Sequence, residues 1–210
     1  MKTSSGLTGF AVTVLLLFGS IGFAAGAQPT KPADSKMNIA TAIFAGGCFW
    51  CIEADFEKLP GVIGAESGYT AGKTANPTYQ QVSAGGTGHT EAIRVSYDPS
   101  KVSYQQLVDY FWRHIDPTVK DRQFCDVGTQ YRSGIYWSNE AERKIAEASR
   151  DALLKSGKLA QVQTEIVAGS AFYAAEEYHQ DYYRKNPIRY AYYRKSCGRD
   201  ARVHEIWGDK

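Results

Sequence analysis

Four cysteines in 210 residues are too few for a disulfide-built scaffold, so catalytic, redox or incidental roles fit them better. Long apolar runs are missing as well. Phe10 to Phe18 is apolar apart from Thr13, but Gly19, Gly22 and Gly26 interrupt the residues after it, and the unbroken run is shorter than the roughly 20 residues a bilayer requires. No basic block of five or more residues exists, and 24 Lys and Arg against 22 Asp and Glu give a net charge of only +2. This argues against nucleic acid as a partner. Paired zinc motifs are absent: Cys48 and Cys51 form one C-x-x-C, while Cys125 and Cys197 stand far apart without a second C-x-x-C or an H-x-x-x-H, so no metal is expected.

What the first residues do have is the pattern of an export signal. Lys2 precedes the apolar run, and Ala25-Gly26-Ala27 is a small-residue cleavage pattern ahead of Gln28. Residues 1–27 are therefore expected to be a cleavable signal peptide, with the mature protein periplasmic or otherwise extracytoplasmic and not stably inserted in a membrane. Residues 28–36, with two prolines and small, polar or charged neighbours, read as a disordered leader. The remainder, 37–210, reads as one domain, and about 180 mature residues bury an adequate core without staples.

The domain's pattern alternates strands and helices. Ile39–Ala45, Val62–Tyr69, Thr90–Tyr97, Ile135–Trp137 and Val162–Val167 read as strands. Cys48–Lys58, Pro77–Ser83, a helix opened by Ser103, one capped by Asn139 and running to about Ser156, and Ala174–Lys185 read as helices. The tail after Pro187 reads as irregular, and Asp116–Arg132 as a functional loop. The fold class predicted is α+β, a two-layer sandwich of a mixed sheet with packed helices.

The chemistry concentrates at Gly46-Gly47-Cys48-Phe49-Trp50-Cys51. A strand that turns through two glycines into a cysteine at a helix start places the thiol beside unpaired N–H groups, which lower its pKa and favour nucleophilic attack. The bland alternative, a buried cysteine acting as a small hydrophobe, is disfavoured by the flanking glycines and aromatics. Fourteen Tyr, nine Phe and four Trp suit a pocket for a soft ligand, though a well-filled core explains them equally.

Gly46-Gly47-Cys48-Phe49-Trp50, Gly88-His89-Thr90-Glu91 and Gly128-Thr129-Gln130-Tyr131-Arg132-Ser133 resemble the A-type peptide methionine sulfoxide reductases. Asn76-Pro77-Thr78-Tyr79, Tyr97-Asp98-Pro99, Asp116-Pro117-Thr118 and Glu177-Tyr178-His179-Gln180 extend the resemblance in the same order over nearly the whole domain. It implies a ferredoxin-like core, a monomer, and reduction of the S epimer of free or peptide-bound methionine sulfoxide in the repair of oxidised proteins. It further implies Cys48 as nucleophile, Phe49 and Trp50 as holders of the substrate methyl group, Glu91 as proton donor, and Tyr79, Asp126 and Tyr131 as the rest of the site. No bound cofactor is implied; a thioredoxin-like donor supplies the electrons. The chemistry agrees, because a sulfoxide sulfur accepts a thiolate only when its oxygen is protonated, and desolvation in an aromatic pocket keeps a carboxyl neutral. Without the motifs, Glu91 would read as a solvated strand residue and both tyrosines as core.

Attack leaves a sulfenic acid on Cys48, which a second thiol condenses to a disulfide. Cys197, Cys51 and Cys125 are the candidates, with Cys197 slightly ahead. The chain departs here from the commoner family pattern, which has glycine at the position of Cys51, Gly-Asn at Phe124-Cys125, and a glycine-rich tail. His89 and His179 lie in matched motifs; His89, beside a strand, reads as a structural hydrogen-bonder. Two other classes compete: a thiol-disulfide oxidoreductase built on Cys48-Cys51, which leaves Phe49-Trp50 and Glu91 unexplained, and a non-enzymatic module that holds methionine-rich peptides.

Overall fold

The computed structural model describes residues 5–11 and 38–208. The chain divides into two units, Met1–Ser35 and Lys36–Lys210. In the first, residues 5–11 are irregular and exposed; the rest of the apolar run, the cleavage pattern near Ala27 and the leader over 28–36 lie outside the described residues. Among the described residues no helix is long and apolar enough to cross a membrane.

In the second unit, β1 (Ala40–Gly46), α1 (Phe49–Phe56), β2 (Val62–Thr70), α2 (Tyr79–Ala84), β3 (Thr90–Tyr97) and α3 (Tyr104–Trp112) are followed by a two-stranded ribbon, β4 (Arg122–Gln123) and β5 (Asp126–Val127). Then come β6 (Ser133–Trp137), α4 (Glu140–Lys155), β7 (Glu165–Ala168) and β8 (Tyr173–Ala174). Three tail helices complete the order: α5 (Tyr182–Lys185), α6 (Pro187–Ser196) and α7 (Arg199–Trp207). The main sheet runs β7-β6-β1-β3-β2-β8. It is antiparallel except for β6 and β7, whose parallel pairing requires the crossover that α4 supplies. The inner order β6-β1-β3-β2, with α1 and α3 as its two crossovers, is the ferredoxin-like arrangement.

Alternation along the strands decides which face is buried. Phe44 pairs in register with Ile93 and Ile135, and all three are fully buried. The Phe44 ring stacks on Phe56 of α1 and Phe111 of α3, at centroid distances of 5.1 Å each, which places both helices on one face of the sheet. Ser103 opens α3 and Thr78 opens α2 with complete capping boxes. That of Thr78 sets the start of α2 at Tyr79, two residues later than the pattern around Pro77 predicts.

The C-terminal region differs from the sequence prediction. A single helix over Ala174–Lys185 does not form; that stretch holds the end of β8, a 3-10 turn at Glu177–His179 and the four-residue α5. The tail after Pro187, expected to be irregular, is helical. Pro187 occupies the first turn of α6, where its missing N–H has no partner to lose. Gly198, at φ +71°, separates α6 from α7. Trp207 at the end of α7 is buried and donates to the Ile115 carbonyl at 3.1 Å, and burying such a ring contributes a few kcal/mol. Arg199, 2% exposed, donates to the Gly46 and His114 carbonyls at 3.1 and 2.9 Å, lies 3.6 Å from the Asp55 carboxylate and covers the Phe124 ring. α7 escaped prediction because its buried face mixes a charge, Arg199, with only two apolar side chains, Val203 and Trp207.

Candidate active site

The turn between β1 and α1 puts Cys48 at the N-cap of α1, one step before the helical residues. Gly47 makes this possible. Its φ is +81°, and a Cβ there would stand 2.5 Å from the Gln123 Cβ. The Cys51 and Ile52 amides donate to the Cys48 carbonyl. The Phe49 amide, one of the donors a helix start leaves unpaired, donates instead to Glu91 Oε2 at 3.0 Å. The helix entry thus holds the carboxyl next to the thiol.

Cys48, Phe49, Trp50, Tyr79, Glu91, Asp126 and Tyr131 line one cavity of about 80 Å³. All seven residues that the sequence assigned to catalysis and substrate contact therefore meet at one place. An eighth lining residue, Tyr193 of α6, was missed. It lies in the aromatic tail, and nothing in its local pattern separates it from the other tyrosines there.

Burial sets the ionisation of the site. Glu91 is 2% exposed, and desolvation pushes its carboxyl up to about 8 against the Phe49 amide, which favours the anion. It is mostly neutral at pH 7. Desolvation also pushes the Tyr79 hydroxyl up to about 12 and the Tyr131 hydroxyl upward, so both remain donors. The expectation that the helix start alone makes Cys48 a thiolate is corrected by the same effect. Cys48 is 7% exposed, and burial, the Cys51 sulfur and the Glu91 carboxyl hold its thiol well above the ordinary value, opposed by a hydrogen bond from Tyr193. Cys51 moves the other way, chiefly through its hydrogen bond with Cys48, with Arg199 and Arg194 acting against its burial.

The aromatic wall is fixed from behind. Trp50 stacks on Tyr182 of α5 at 3.7 Å, and its indole N–H donates to His179 Nδ1 at 3.0 Å, which leaves the proton of a neutral imidazole on Nε2. Burial lowers the His179 pKa, consistent with that form. Glu176 accepts from the Tyr69 hydroxyl and the Tyr79 amide, at 2.8 Å each. His89 is a clamp: its Nδ1 accepts from the Gly72 amide at 3.2 Å and its Nε2 lies 2.7 Å from the Thr74 carbonyl, so it braces the loop after β2.

The cysteines separate into two pairs. Cys48 and Cys51 are free and buried, whereas Cys125 and Cys197 form a disulfide. Asp126, next to Cys125, accepts from the Tyr193 hydroxyl at 2.6 Å. Among the described residues, two clusters have metal-ligand composition: Cys125, Asp126 and Cys197, and Glu53, Glu57 and Asp181. The sulfurs of the first are bonded to each other. The carboxylates of the second are engaged by Ser67, the Asp181 amide, Tyr183 and Arg184.

Residues 40–210 match the family described as peptide methionine sulfoxide reductase. A peptide methionine sulfoxide reductase (MsrA 2) of Caulobacter vibrioides is 48% identical over 179 residues, covering 85% of this chain and 91% of that protein. An MsrA of Bacillus pumilus is 47% identical over 178 residues, 84% of this chain and 99% of that one. Among solved structures, the methionine sulfoxide reductase A of Corynebacterium diphtheriae superposes with a TM-score of 0.66 at 36% identity, covering 73% of this chain and 78% of that chain. Reduced Mxr1 of Saccharomyces cerevisiae gives 0.66 at 34%, covering 71% and 86%.

Proposed function

Because this chain belongs to the peptide methionine sulfoxide reductase family, we propose that Cys48 is its nucleophile, Glu91 its proton donor and Cys51 the thiol that resolves the intermediate. The enzyme reduces methionine S-sulfoxide, free or in peptides, to methionine through a cysteine sulfenic acid, a repair of oxidised protein. The observation that carries the assignment of roles is the buried Glu91 carboxyl, held by the amide that follows Cys48 and pushed up to about 8 by its desolvation.

The cavity admits the methylsulfinyl end of the side chain, with Phe49 and Trp50 against the methyl group and the Tyr79 and Tyr131 hydroxyls aimed at the oxygen, where they stabilise developing charge. Glu91 passes its proton to the sulfoxide oxygen while the Cys48 sulfur attacks the sulfoxide sulfur, and the Cys48 proton replaces the one Glu91 gave up. The hydroxyl oxygen then passes from the methionine sulfur to the Cys48 sulfur as the new sulfur–sulfur bond breaks, its electron pair returning to the methionine sulfur, so that methionine leaves and Cys48 is left as the sulfenic acid. The Cys51 sulfur then attacks the Cys48 sulfur and expels water, so that the two-electron oxidation rests in a Cys48–Cys51 disulfide. Two features favour Cys51: it is a free thiol hydrogen-bonded to Cys48, whereas Cys197, the tail candidate, is bonded to Cys125.

A thioredoxin-like dithiol outside the molecule returns the electrons by thiol-disulfide exchange. The apolar run from Phe10 and the small residues before Gln28 support an exported, periplasmic protein, which N-terminal sequencing of the cell-made product tests at Gln28. The catalytic assignment is tested by a single turnover: pre-reduced protein, no external reductant, and excess substrate resolved by epimer. The parent releases about one methionine per chain from the S epimer and Cys48→Ser releases none. Methionine from Cys48→Ser at the parent rate would sink the assignment.

A further inference from the structure

The cavity wall is completed by two elements, the first anchored by Gln123, which bonds to Asp116, and the second by Arg194, which pairs with Asp55. One is the β4–β5 ribbon, with two residues in each strand, a length marginal in water by itself. Its turn carries Phe124 at φ +54° and is preceded by Asp121 at φ +50°, a left-handed conformation that non-glycine residues adopt at a cost. The other is α6, which has no buried residue. The first supplies Asp126 to the cavity and the second supplies Tyr193.

The Cys125–Cys197 disulfide joins these two elements beside both residues. Cys125 adjoins Asp126 in sequence. Cys197 lies one helical turn after Tyr193, its amide bonded to the Tyr193 carbonyl at 2.9 Å. Cys125 and Cys197 sulfurs approach the Asp126 carboxylate to 3.7 and 3.9 Å, and the Tyr193 hydroxyl donates to that carboxylate at 2.6 Å while lining the same cavity as Cys48. We propose that the Cys125–Cys197 disulfide is a positioning staple, which holds Tyr193 and Asp126 against Cys48 so that the enzyme works faster with this pair oxidised than with it reduced. The proposal rests on Cys48 being the nucleophile. It takes the pair out of the catalytic electron path and makes the first chemical step sensitive to the redox state of its surroundings.

When the staple opens, two electrons and two protons from an added reductant convert it to two thiols. Asp126 then has two thiol donors competing with Tyr193 for its oxygens, and α6 loses its tie to the ribbon. Misplacement of about 1 Å at a reacting group costs up to about a hundredfold in rate.

The test compares Cys51→Ser, with the staple intact, and Cys51→Ser/Cys125→Ser/Cys197→Ser, so that Cys48 is the sole free thiol in each. Methionine released in the first turnover should slow about ten- to a hundredfold when the staple is absent. Adding Tyr193→Phe should slow the stapled protein but cost almost nothing more in the unstapled one, the signature of residues acting as a unit. The pH profile of Cys48 alkylation by iodoacetamide should move upward on loss of the staple, a change that a general loosening of the fold does not produce. Should the triple variant fail to fold, Cys51→Ser reduced with a phosphine, which takes up the oxygen of water as it opens the pair and is removed before substrate is added, provides the first-turnover comparison with Cys125 and Cys197 still in place. First-turnover rate and alkylation profile indifferent to the staple would overturn the proposal, all the more if the pair proved necessary for repeated turnover with a dithiol donor. Absence of methionine from the parent would instead overturn the assignment of Cys48, and the proposal with it.

Discussion

Glu91→Gln is expected to make the protein more stable and much less active at once, and the size of the first effect is set by the carboxyl's surroundings. A glutamate that titrates at 4.5 in the unfolded chain holds its proton in the fold up to about 8. Between those values the folded state binds more protons than the unfolded state, so stability falls as pH rises. At pH 7 the gap corresponds to about 3 kcal/mol at 1.36 kcal/mol per pH unit. Gln cannot ionise and keeps an oxygen for the Phe49 amide, so it escapes that loss. Urea unfolding of both proteins at intervals from pH 4.5 to 8 should show near-equal stability at the acid end and an advantage for the variant growing to ~3 kcal/mol at pH 7. Subtracting the two curves cancels Glu53, whose buried carboxyl is also pushed up, to about 7. In the first turnover the variant should be slower by about a hundredfold or more, the contribution of a general acid, and the parent's rate should decline as pH passes about 8 and Glu91 ionises. A stability difference independent of pH, or a parent that is the more stable of the two at pH 7, would refute the reasoning that desolvation keeps this acid neutral.

Cys51→Ser should still release about one methionine per chain and then stop with Cys48 as a sulfenic acid, detected by the mass of its dimedone adduct; a Cys48–Cys197 disulfide in the parent after turnover would move the resolving role to the tail. Arg199→Met removes the donors to the Gly46 and His114 carbonyls and leaves Asp55 with only Arg194 as a buried cation, which should cost about 3 kcal/mol or more in urea unfolding. Gly47→Ala puts a methyl 2.5 Å from the Gln123 Cβ at φ +81°; it should destabilise the fold by ~2 kcal/mol and slow the first turnover, because the displaced ribbon carries Asp126. Unchanged stability in that variant would show that the ribbon yields without cost.

The strands and helices up to Lys155 were legible because each one advertises itself locally, except the β4–β5 ribbon, whose two-residue strands lie in the stretch 116–132 read as a loop. Thr90–Tyr97 alternates, Leu107, Val108, Phe111 and Trp112 repeat at helical spacing, and Ser103 and Asn139 cap the helices they precede. The seven cavity residues were legible only through motifs, since neither the burial of Glu91 nor the meeting of Tyr79 with Tyr131 can be read from its neighbours in sequence. Tyr193 and the Cys125–Cys197 pairing were not legible at all. Both depend on where α6 lies, and its inward side chains, Tyr190, Tyr193 and Arg194, are only half-buried and partly charged, so no hydrophobic period marks it.

The same dryness that makes Glu91 an acid makes Cys48 a poor thiolate, and both facts enter one energetic argument. A pocket that favoured the thiolate through a nearby cation would equally favour the carboxylate, and the sulfoxide oxygen would lose its proton source. Dehydration instead raises thiol and carboxyl together, keeping thiol and acid both uncharged until substrate enters, and charge then develops only along the reacting atoms. A smaller, local influence opposes the rise of the thiol: the Tyr193 hydroxyl beside it. The cations stand elsewhere, at Arg194 and Arg199, where they lower the pKa of Cys51. That arrangement suits the proposed order of events, in which the first step uses an intact acid at Glu91 and the second, with the acid no longer required, a ready thiolate at Cys51.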